Sequence, residues 1–400
     1  MSQHARAARP RRARRAIGLT TMGLLVFGVA AAAAVYRELQ ANVTEVDLQG
    51  LVGDESARPQ PTEPPPGDAR AGTPVNLLII GSDDRSGENA TIGGENDGMA
   101  SDTTIVAHVS ADRSRVELVS IPRDLKTDRP SCTMSDGTTT PARTDRQFNE
   151  AFALGWTEGQ DIASASGCTW KTVELLTGVR LDGLVLVDFV GLRDMVDAIG
   201  GVPICLPTAL RDEDTGLDVS AGPQVFDGTT AVQFARARHD IGDGSDTGRI
   251  TRQHDLMAAM TRSVLSQEVL TSPASLLRFA QAATSSLTAS QGFRDLTDLT
   301  GFGLSLRNLQ AERIVFASMP TVPDPRDTNR RVATPAATEL WARIAADLPV
   351  GESPPTGTAT PLTDPTASPV TDPAAPRVET PWTPPGGVLT SADDSSTSCT

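Results

Sequence analysis

Arg236, Arg238, Arg249 and Arg252 crowd into ARARHDIGDGSDTGRITRQ, residues 235–253, of a 400-residue chain whose formal net charge is -15. Guanidinium groups are planar forks that grip phosphate or carboxylate oxygens through paired hydrogen bonds, so in an acidic chain this cluster points to a local anion. The second half of the passage reads as a helix start. There Arg249, Arg252 and Gln253 stand at i, i+3 and i+4 and share a face. Arginines in a first turn oppose the positive end of the helix dipole, a cost unless an anion occupies the site. Arg236 and Arg238, two apart, share a face only where the chain is extended. Asp240, Asp243 and Asp246 are spaced by three and do not match the EF-hand pattern of a calcium loop.

Three further stretches carry the same residue types at strand ends. GSDDR (81–85) follows the apolar run VNLLIIG and supplies Asp83 and Arg85. SDTT (101–104) opens a second strand with Asp102, and SIPRD (120–124) closes a third with Arg123 and Asp124. Open α/β sheets bind ligands beyond the carboxyl ends of their strands, and paired carboxylates there suit a hard cation such as magnesium. Each stretch alone reads equally well as a solvated turn or a surface ion pair; three of them make coincidence harder to sustain. There is no GxSxG, P-loop, HExxH or dinucleotide fingerprint. His4, His108, His239 and His254 lack cysteine or acid partners at metal spacing and read as structural or solvated.

Alternating elements must position these residues. Strand-like runs fall at 75–81, 103–109, 115–121, 184–189, 202–206 and 313–319,. Helical patterns fall near 149–156, 168–177, 190–199, 229–235, 248–267, 273–286, 295–307 and 335–347. In the helix from Gly248, Ile250, Met257 and Val264 recur every seven residues beside Leu256 and Met260, an inward stripe,. Strands alternating with helices predict an α/β fold, a three-layer α-β-α sandwich with a mixed central sheet, over residues 75–348. Aromatic residues are only 4% of the chain, so the core is aliphatic.

Six arginines within residues 1–15 precede AIGLTTMGLLVFGVAAAAAVY (16–36), a run of about the length that crosses a bilayer,. The run exceeds a usual signal-peptide core, which favours an uncleaved anchor over a cleaved signal, and the arginines place residues 1–15 in the cytosol. The bulk of the chain is exported on either reading. Residues 37–74 read as a proline-rich linker and residues 349–400 as a disordered Pro/Thr/Ser-rich tail,. Without the six arginines, 29 Lys and Arg face 50 Asp and Glu, a net charge of -21. That argues against a nucleic-acid surface, which needs a basic field. Cys132, Cys168, Cys205 and Cys399 show no CxxC spacing and suit an oxidising exterior,. Cys132 and Cys168, in polar loops flanking one helical segment, are expected to pair; Cys205 is read as a buried free thiol and Cys399 as part of the tail.

Taken in order, GSDDR, SDTT, SIPRD, NEAF (149–152), LTGVRLDGLVLVDFVGLRDMVDAIGGVPICLP (176–207), DGTTAVQFARAR (227–238) and DTGRITRQ (246–253) resemble the LytR-CpsA-Psr family of bacterial envelope proteins, over roughly residues 75–265. The extra cysteines and alanine-rich sequence resemble an actinobacterial member. The resemblance implies a phosphotransferase that moves a glycopolymer from a polyprenyl-pyrophosphate carrier to peptidoglycan at the outer face of the plasma membrane. It implies Mg2+ on Asp83 and Asp102, and catalytic roles for those two aspartates and Arg123. It also implies pyrophosphate contacts from Arg85, Arg123, Arg236, Arg238 and Arg249 with help from Gln253, and the spacing adds Arg252. A carrier lipid would need an apolar tunnel between the sheet and the helices near 190–199 and 248–267. The acceptor of the hydroxyl proton stays open, because a carboxylate bound to magnesium is a poor base. Two departures stand out: Ala100 where the family commonly has arginine, and Gln147 where it often has lysine, leaving Arg143 or Arg146 as substitutes that would have to reach in. Two other classes of function remain beside the enzyme, a non-catalytic binder of polyprenyl-phosphate carriers and a membrane-anchored transcriptional attenuator.

Overall fold

A computed structural model describes residues 9–60, 72–85, 87–93, 99–238, 246–266, 272–290, 293, 296–350 and 389–391. Helix α1 (Arg9–Asn42) opens it, and its Leu19–Asn42 part is long and apolar enough to cross a membrane,. The central sheet contains β1 (Thr44–Val46), β2 (Val75–Ser82), β3 (Ser101–Val109), β4 (Val116–Ser120), β5 (Gly183–Val187), β6 (Leu287–Ser290), β7 (Ile314–Ser318) and β8 (Leu389–Ser391). Their order is β1-β6-β5-β2-β3-β4-β7-β8. β2 runs parallel to β5 and antiparallel to β3, while β4 runs antiparallel to β3 and parallel to β7. The sheet is therefore mixed, as the sequence predicts.

The principal helices of the domain are α2 (Glu150–Gly159), α3 (Ile162–Thr177), α4 (Phe189–Ala198), α5 (Gly228–Arg236), α6 (Asp246–Leu265), α7 (Pro273–Ser286) and α8 (Pro335–Ala345). Alternation along β2 divides its side chains between two faces. Leu78 and Ile80 join Val106, Val119 and Leu184 in a core with Phe152 of α2, Trp170 of α3 and Trp341 of α8. On the opposite face Ile79 and Ile105 meet α4, α5 and α6, and Ile314 and Phe316 pack with Ala258. Two helix layers thus enclose the sheet.

Local chemistry sets the helix ends that matter here. Asp188, directly after β5, accepts from Gly191 N at 2.7 Å, and Asp227 accepts from Thr230 N at 2.8 Å, so both cap helices beside the sheet edge,. Gly191 also permits the approach of α7, since a Cβ there would sit 2.5 Å from Ser286 Cβ.

Several expectations are corrected. The segment 37–74 is a linker only in its later part: Val43, Val46, Leu48 and Leu51 are buried, and β1 pairs with β6. Arg58 grips Glu174 with Nη2 at 2.8 Å and Nε at 3.1 Å, donates to Leu181 O at 2.7 Å and lies 5.4 Å from the Trp170 ring centroid. The short apolar spacing of 43–51 is overshadowed in composition by the prolines that follow it. In the segment read as a disordered tail, Val350 is buried and β8 pairs antiparallel with β7; residues 351–388 and 392–400, including Cys399, lie outside the described residues. The run 202–206 leaves the central sheet and pairs with 222–226 in a separate ribbon. Cys132 and Cys168 are bonded, although Cys168 sits inside α3 rather than in a loop. Cys205 is itself disulfide-bonded and is not a free thiol.

A soluble chain beginning at residue 72 discards four buried apolar side chains and the Arg58 clasp. It is expected to lose on the order of 5 kcal/mol relative to one beginning at residue 38. Urea midpoints of the two would read this directly, and equal midpoints would make residues 43–58 dispensable.

Candidate active site

The ends of β2, β4 and β5 and the start of the antiparallel β3 lie along one edge of the sheet. There Ser82 pairs with Ser101, and Asp83 N donates to Ala100 O at 2.9 Å. Asp83, just past the end of β2, and Asp102 of β3 are thereby neighbours. Arg85 holds Asp83 with two hydrogen bonds, Nε to Oδ1 at 2.9 Å and Nη2 to Oδ2 at 2.8 Å. Arg123 Nη1 donates to Asp102 Oδ1 at 2.6 Å, and Arg249 Nη1 lies 3.5 Å from the same oxygen. Arg249 Nη2 donates to the Asp102 carbonyl at 2.8 Å and to Asp246 Oδ1 at 2.5 Å, while Arg123 Nε stands 3.6 Å from that Asp246 oxygen. Arg123, Asp102, Arg249 and Asp246 form a closed ring of alternating charge.

The ring explains how a helix can begin with arginines. Asp246 is the first residue of α6, buried, where the helix dipole favours an acid,. The counter-charge that the sequence demands of an external anion is already supplied in part by Asp246 and Asp102. Burial alone would raise the Asp102 carboxyl, but Arg249 and Arg123 outweigh it and hold the group below its usual range,. Arg236, the last residue of α5, donates to Ile92 O at 3.0 Å and lies 4.4 Å from the Phe189 ring centroid,. Burial depresses its guanidinium, opposed by Asp83 and Asp102, so it belongs to the same field. Arg85, raised chiefly by its bond to Asp83, also feels Asp102.

An apolar cavity of about 230 Å³ adjoins this edge, between the sheet and α4, α5 and α6. Its wall follows β3 from Asp102 to Ile105 and α6 from Arg249 through Gln253 and Leu256 to Met260, a run of about 16 Å along the helix axis. Charge lies at one end, hydrocarbon beyond it.

Asp83, Asp102, Arg85, Arg123, Arg236 and Arg249 therefore converge; of these Asp102, Arg236 and Arg249 line the cavity, where Gln253 joins them while donating to Ala235 O at 3.2 Å. Two predicted residues are placed differently. The Arg252 guanidinium donates to Ala237 O and is not on the cavity wall; it ties α6 to the chain leaving α5. Arg238 uses its backbone N–H on Asp212 Oδ2 at 2.6 Å, and its buried Nε has no hydrogen-bond partner among the described residues. His239, Asp240 and Asp243 lie outside the described residues. Arg146 does not reach in: it pairs with Glu150 at 2.7 Å, and Arg143 is exposed. Gln147 instead donates from Nε2 to Asp124 Oδ1 at 2.7 Å.

Sequence reasoning quoted Asp124 and Asp246 without giving either a role, and passed over Arg330, which acts electrostatically on Asp124 from the hairpin strand Asp327–Ala333. His254, read as structural or solvated, is structural. That imidazole is buried against Ser120, Nε2 to Oγ at 2.8 Å, and burial lowers it to about 4, so it is neutral. For a metal, Asp83 and Asp102 offer two hard carboxylates, the number Mg2+ commonly takes from a protein while phosphate and water complete its shell. Among the described residues no three His, Cys, Asp or Glu form a ready cage.

A sequence profile of the LytR_cpsA_psr family matches residues 35–345. The chain belongs to the LytR-CpsA-Psr family. It is 30% identical over 262 residues to the cell wall biosynthesis protein LcpA of Corynebacterium glutamicum, covering 62% of this chain and 50% of that one. It is 29% identical over 205 residues to the polyisoprenyl-teichoic acid–peptidoglycan teichoic acid transferase TagU of Enterococcus faecalis, covering 50% and 58%. The chain thus spans about half the length of these relatives. Among solved structures it resembles protein gbs0355 of Streptococcus agalactiae, with a TM-score of 0.52, 18% identity and coverage of 68% and 87%. It also resembles TagV of B. subtilis, with a TM-score of 0.50, 19% identity and coverage of 69% and 98%. These likenesses establish the fold, and the family profile starts at residue 35, before β1.

Because Asp102 is held charged by its arginines, its contribution to stability is present above the ordinary aspartate range and is lost as pH falls through its depressed value. Arg123→Met is expected to raise the Asp102 carboxyl and move acid unfolding to higher pH. Carbon-13 titration of Asp102 measures the first effect and a pH-unfolding curve the second; an unmoved carboxyl would disprove the coupling.

Proposed function

We propose that the protein is a Mg2+-dependent phosphotransferase that attaches a glycopolymer from a polyprenyl-pyrophosphate carrier to peptidoglycan, anchored in the plasma membrane with its domain on the outer face. One observation carries the reading: guanidinium groups from four separate segments, Arg85, Arg123, Arg236 and Arg249, meet two carboxylates at the charged end of an apolar cavity. An amphiphile with a diphosphate head and a hydrocarbon tail matches that division. The family membership and the printed roles of the relatives, cell wall biosynthesis and teichoic acid transfer, support the same direction.

In the reaction an acceptor hydroxyl oxygen bonds to the phosphorus nearest the sugar, and the bond from that phosphorus to the bridging oxygen breaks. The electron pair departs with polyprenyl phosphate. Negative charge spreads over the non-bridging oxygens as this happens, and Arg123, Arg236 and Arg249, fixed in advance and partly desolvated, stabilise it. Arg85 can exchange its bidentate hold on Asp83 for phosphate oxygens. Magnesium on Asp83 and Asp102 would supply further charge neutralisation on the phosphates. Water is excluded on the lipid side by the cavity wall.

The regulator reading is disfavoured by the acidic balance of the chain, which offers DNA no basic field,. The carrier-binder reading predicts binding without transfer.

The test incubates the full chain with a polyprenyl-pyrophosphate-linked oligosaccharide, Mg2+ and a peptidoglycan fragment and follows coupled product. Asp102→Asn and Arg236→Ala are each expected to lower kcat by roughly 10² to 10³-fold, the scale of losing one preorganised charge contact. Val232→Trp, which fills the cavity, should raise KM for the lipid-linked donor while leaving a tail-free sugar diphosphate unaffected. Donor binding with no product in the wild type would make the protein a binder.

A further inference from the structure

The transfer has to move a proton off the acceptor hydroxyl, and the site holds four carboxylates that differ in what surrounds them. Asp83 has both oxygens committed to Arg85. Asp102 is held by Arg123 and Arg249 through the same Oδ1 and is a proposed metal ligand. Asp246 is buried, at 5% exposure, and bonded to Arg249. A carboxylate so placed is a weak base, since each attached guanidinium stabilises its charged form.

Asp124 differs in each respect. It follows Arg123 in the turn after β4, and its side chain is 17% exposed. Oδ1 accepts its one short hydrogen bond from a neutral donor, Gln147 Nε2 at 2.7 Å, and the nearest cation, Arg123 Nε, stands 3.9 Å from that oxygen. Oδ2 carries no hydrogen bond among the described residues. The turn is fixed from three sides by backbone bonds: Phe148 N to Leu125 O at 2.8 Å, Asn149 N to Arg123 O at 3.3 Å, and Arg331 N to Asp124 O at 3.0 Å. Arg123 thus reaches Asp102 and Asp246 from one side of a rigid turn, and its sequence neighbour presents a free oxygen beside them.

We propose that Asp124 is the general base of the transfer, taking the proton of the acceptor hydroxyl at Oδ2, with Gln147 as the positioning residue that holds Oδ1. This rests on the phosphotransferase reading above. As the hydroxyl oxygen bonds to phosphorus, its proton passes to Asp124, the bridging P–O bond breaks with its electrons leaving on polyprenyl phosphate, and Asp124 later returns the proton to solvent.

The charges facing Asp124 come from every element packed on it: Arg123 in its own turn, Asp246 and Arg249 on α6, and Arg330 on the hairpin strand. Gln147, from the strand Arg143–Gln147, adds none. Burial first and Asp246 second raise the Asp124 carboxyl, against Arg123, Arg330 and Arg249, toward the operating range of a base. The neutral amide at 147 is consistent with that task. A cation there would stabilise the carboxylate and weaken it as a base.

The experiment uses the full chain in proteoliposomes, with a polyprenyl-pyrophosphate-linked disaccharide as donor and a peptidoglycan fragment as acceptor, and follows kcat/KM against pH. Wild-type activity should fall on the acid side as Asp124 protonates. Asp124→Asn should lower kcat by roughly 10² to 10⁴-fold with donor affinity unchanged. Gln147→Lys, which keeps the carboxylate, should move the acid limb to lower pH and thereby separates basicity from folding. Retained kcat in Asp124→Asn, or an acid limb that does not move in Gln147→Lys, overturns the assignment while leaving the transferase reading intact. A wild type that binds donor and forms no product overturns the transferase reading, and the assignment with it.

Discussion

The site depends on one electrostatic constraint: guanidinium groups brought out of water at a sheet edge must be neutralised by carboxylates brought there with them. Arg249 is 2% exposed and Asp246 is 5% exposed, and a buried charge without a partner costs several kcal/mol. The closed ring of Arg123, Asp102, Arg249 and Asp246 satisfies both signs while leaving Arg236 and Arg85 as cations whose other contacts, a carbonyl oxygen or a single aspartate, phosphate oxygens can replace. A site built in this way is preorganised for an anion and does not collapse before one arrives. It also sets the register of three segments, because Asp102 comes from β3, Arg123 from the turn after β4, and Asp246 and Arg249 together from α6.

The remaining architecture can be read as the support of that ring. β2 and β3 place Asp83 and Asp102 side by side through the Ser82–Ser101 pairing. The turn bearing Arg123 and Asp124 is laced to residues 148, 149 and 331 by backbone bonds. α6 brings Arg249 and Gln253 along one wall and then supplies the apolar side chains that deepen the cavity. The arm of residues 43–58 closes the far face, with Arg58 locked onto Glu174 over Trp170. The spanning-length helix is thus joined to the domain through packed residues, Leu48 and Leu51 among them, before the proline-rich stretch begins.

Much of the site was legible because its residues sit where patterns end. A period-two apolar run that stops at Asp83, Asp102 or Arg123 places those side chains at a strand terminus whatever the tertiary fold, and the helix stripe of Ile250 and Leu256 fixes which face of α6 looks inward. What sequence did not reveal depends on pairing between distant pieces. β1 and β8 are three residues long and acquire meaning only from the neighbours they join. The run 202–206 has the composition of a core strand and yet pairs locally, because its partner at 222–226 follows within one ribbon. Arg252 shows the limit of spacing arguments on a helix: it shares a nominal face with Arg249, but Ala237 O captures its guanidinium.

The contrast among the four carboxylates follows from the same constraint. Neutralising a buried arginine and acting as a base are opposed duties, since the guanidinium that makes a carboxylate comfortable also makes it unreactive toward protons. A single cavity can serve both only if it divides them among different residues. Asp83, Asp102 and Asp246 are each tied to arginine and carry the first duty. Asp124 is set one residue beyond Arg123, near enough to share the field and bonded at short range only to an amide. The sequence pair Arg123–Asp124 thereby separates the two requirements across one peptide unit, and the rigidity of the turn that carries them keeps the aspartate from collapsing onto the arginine beside it.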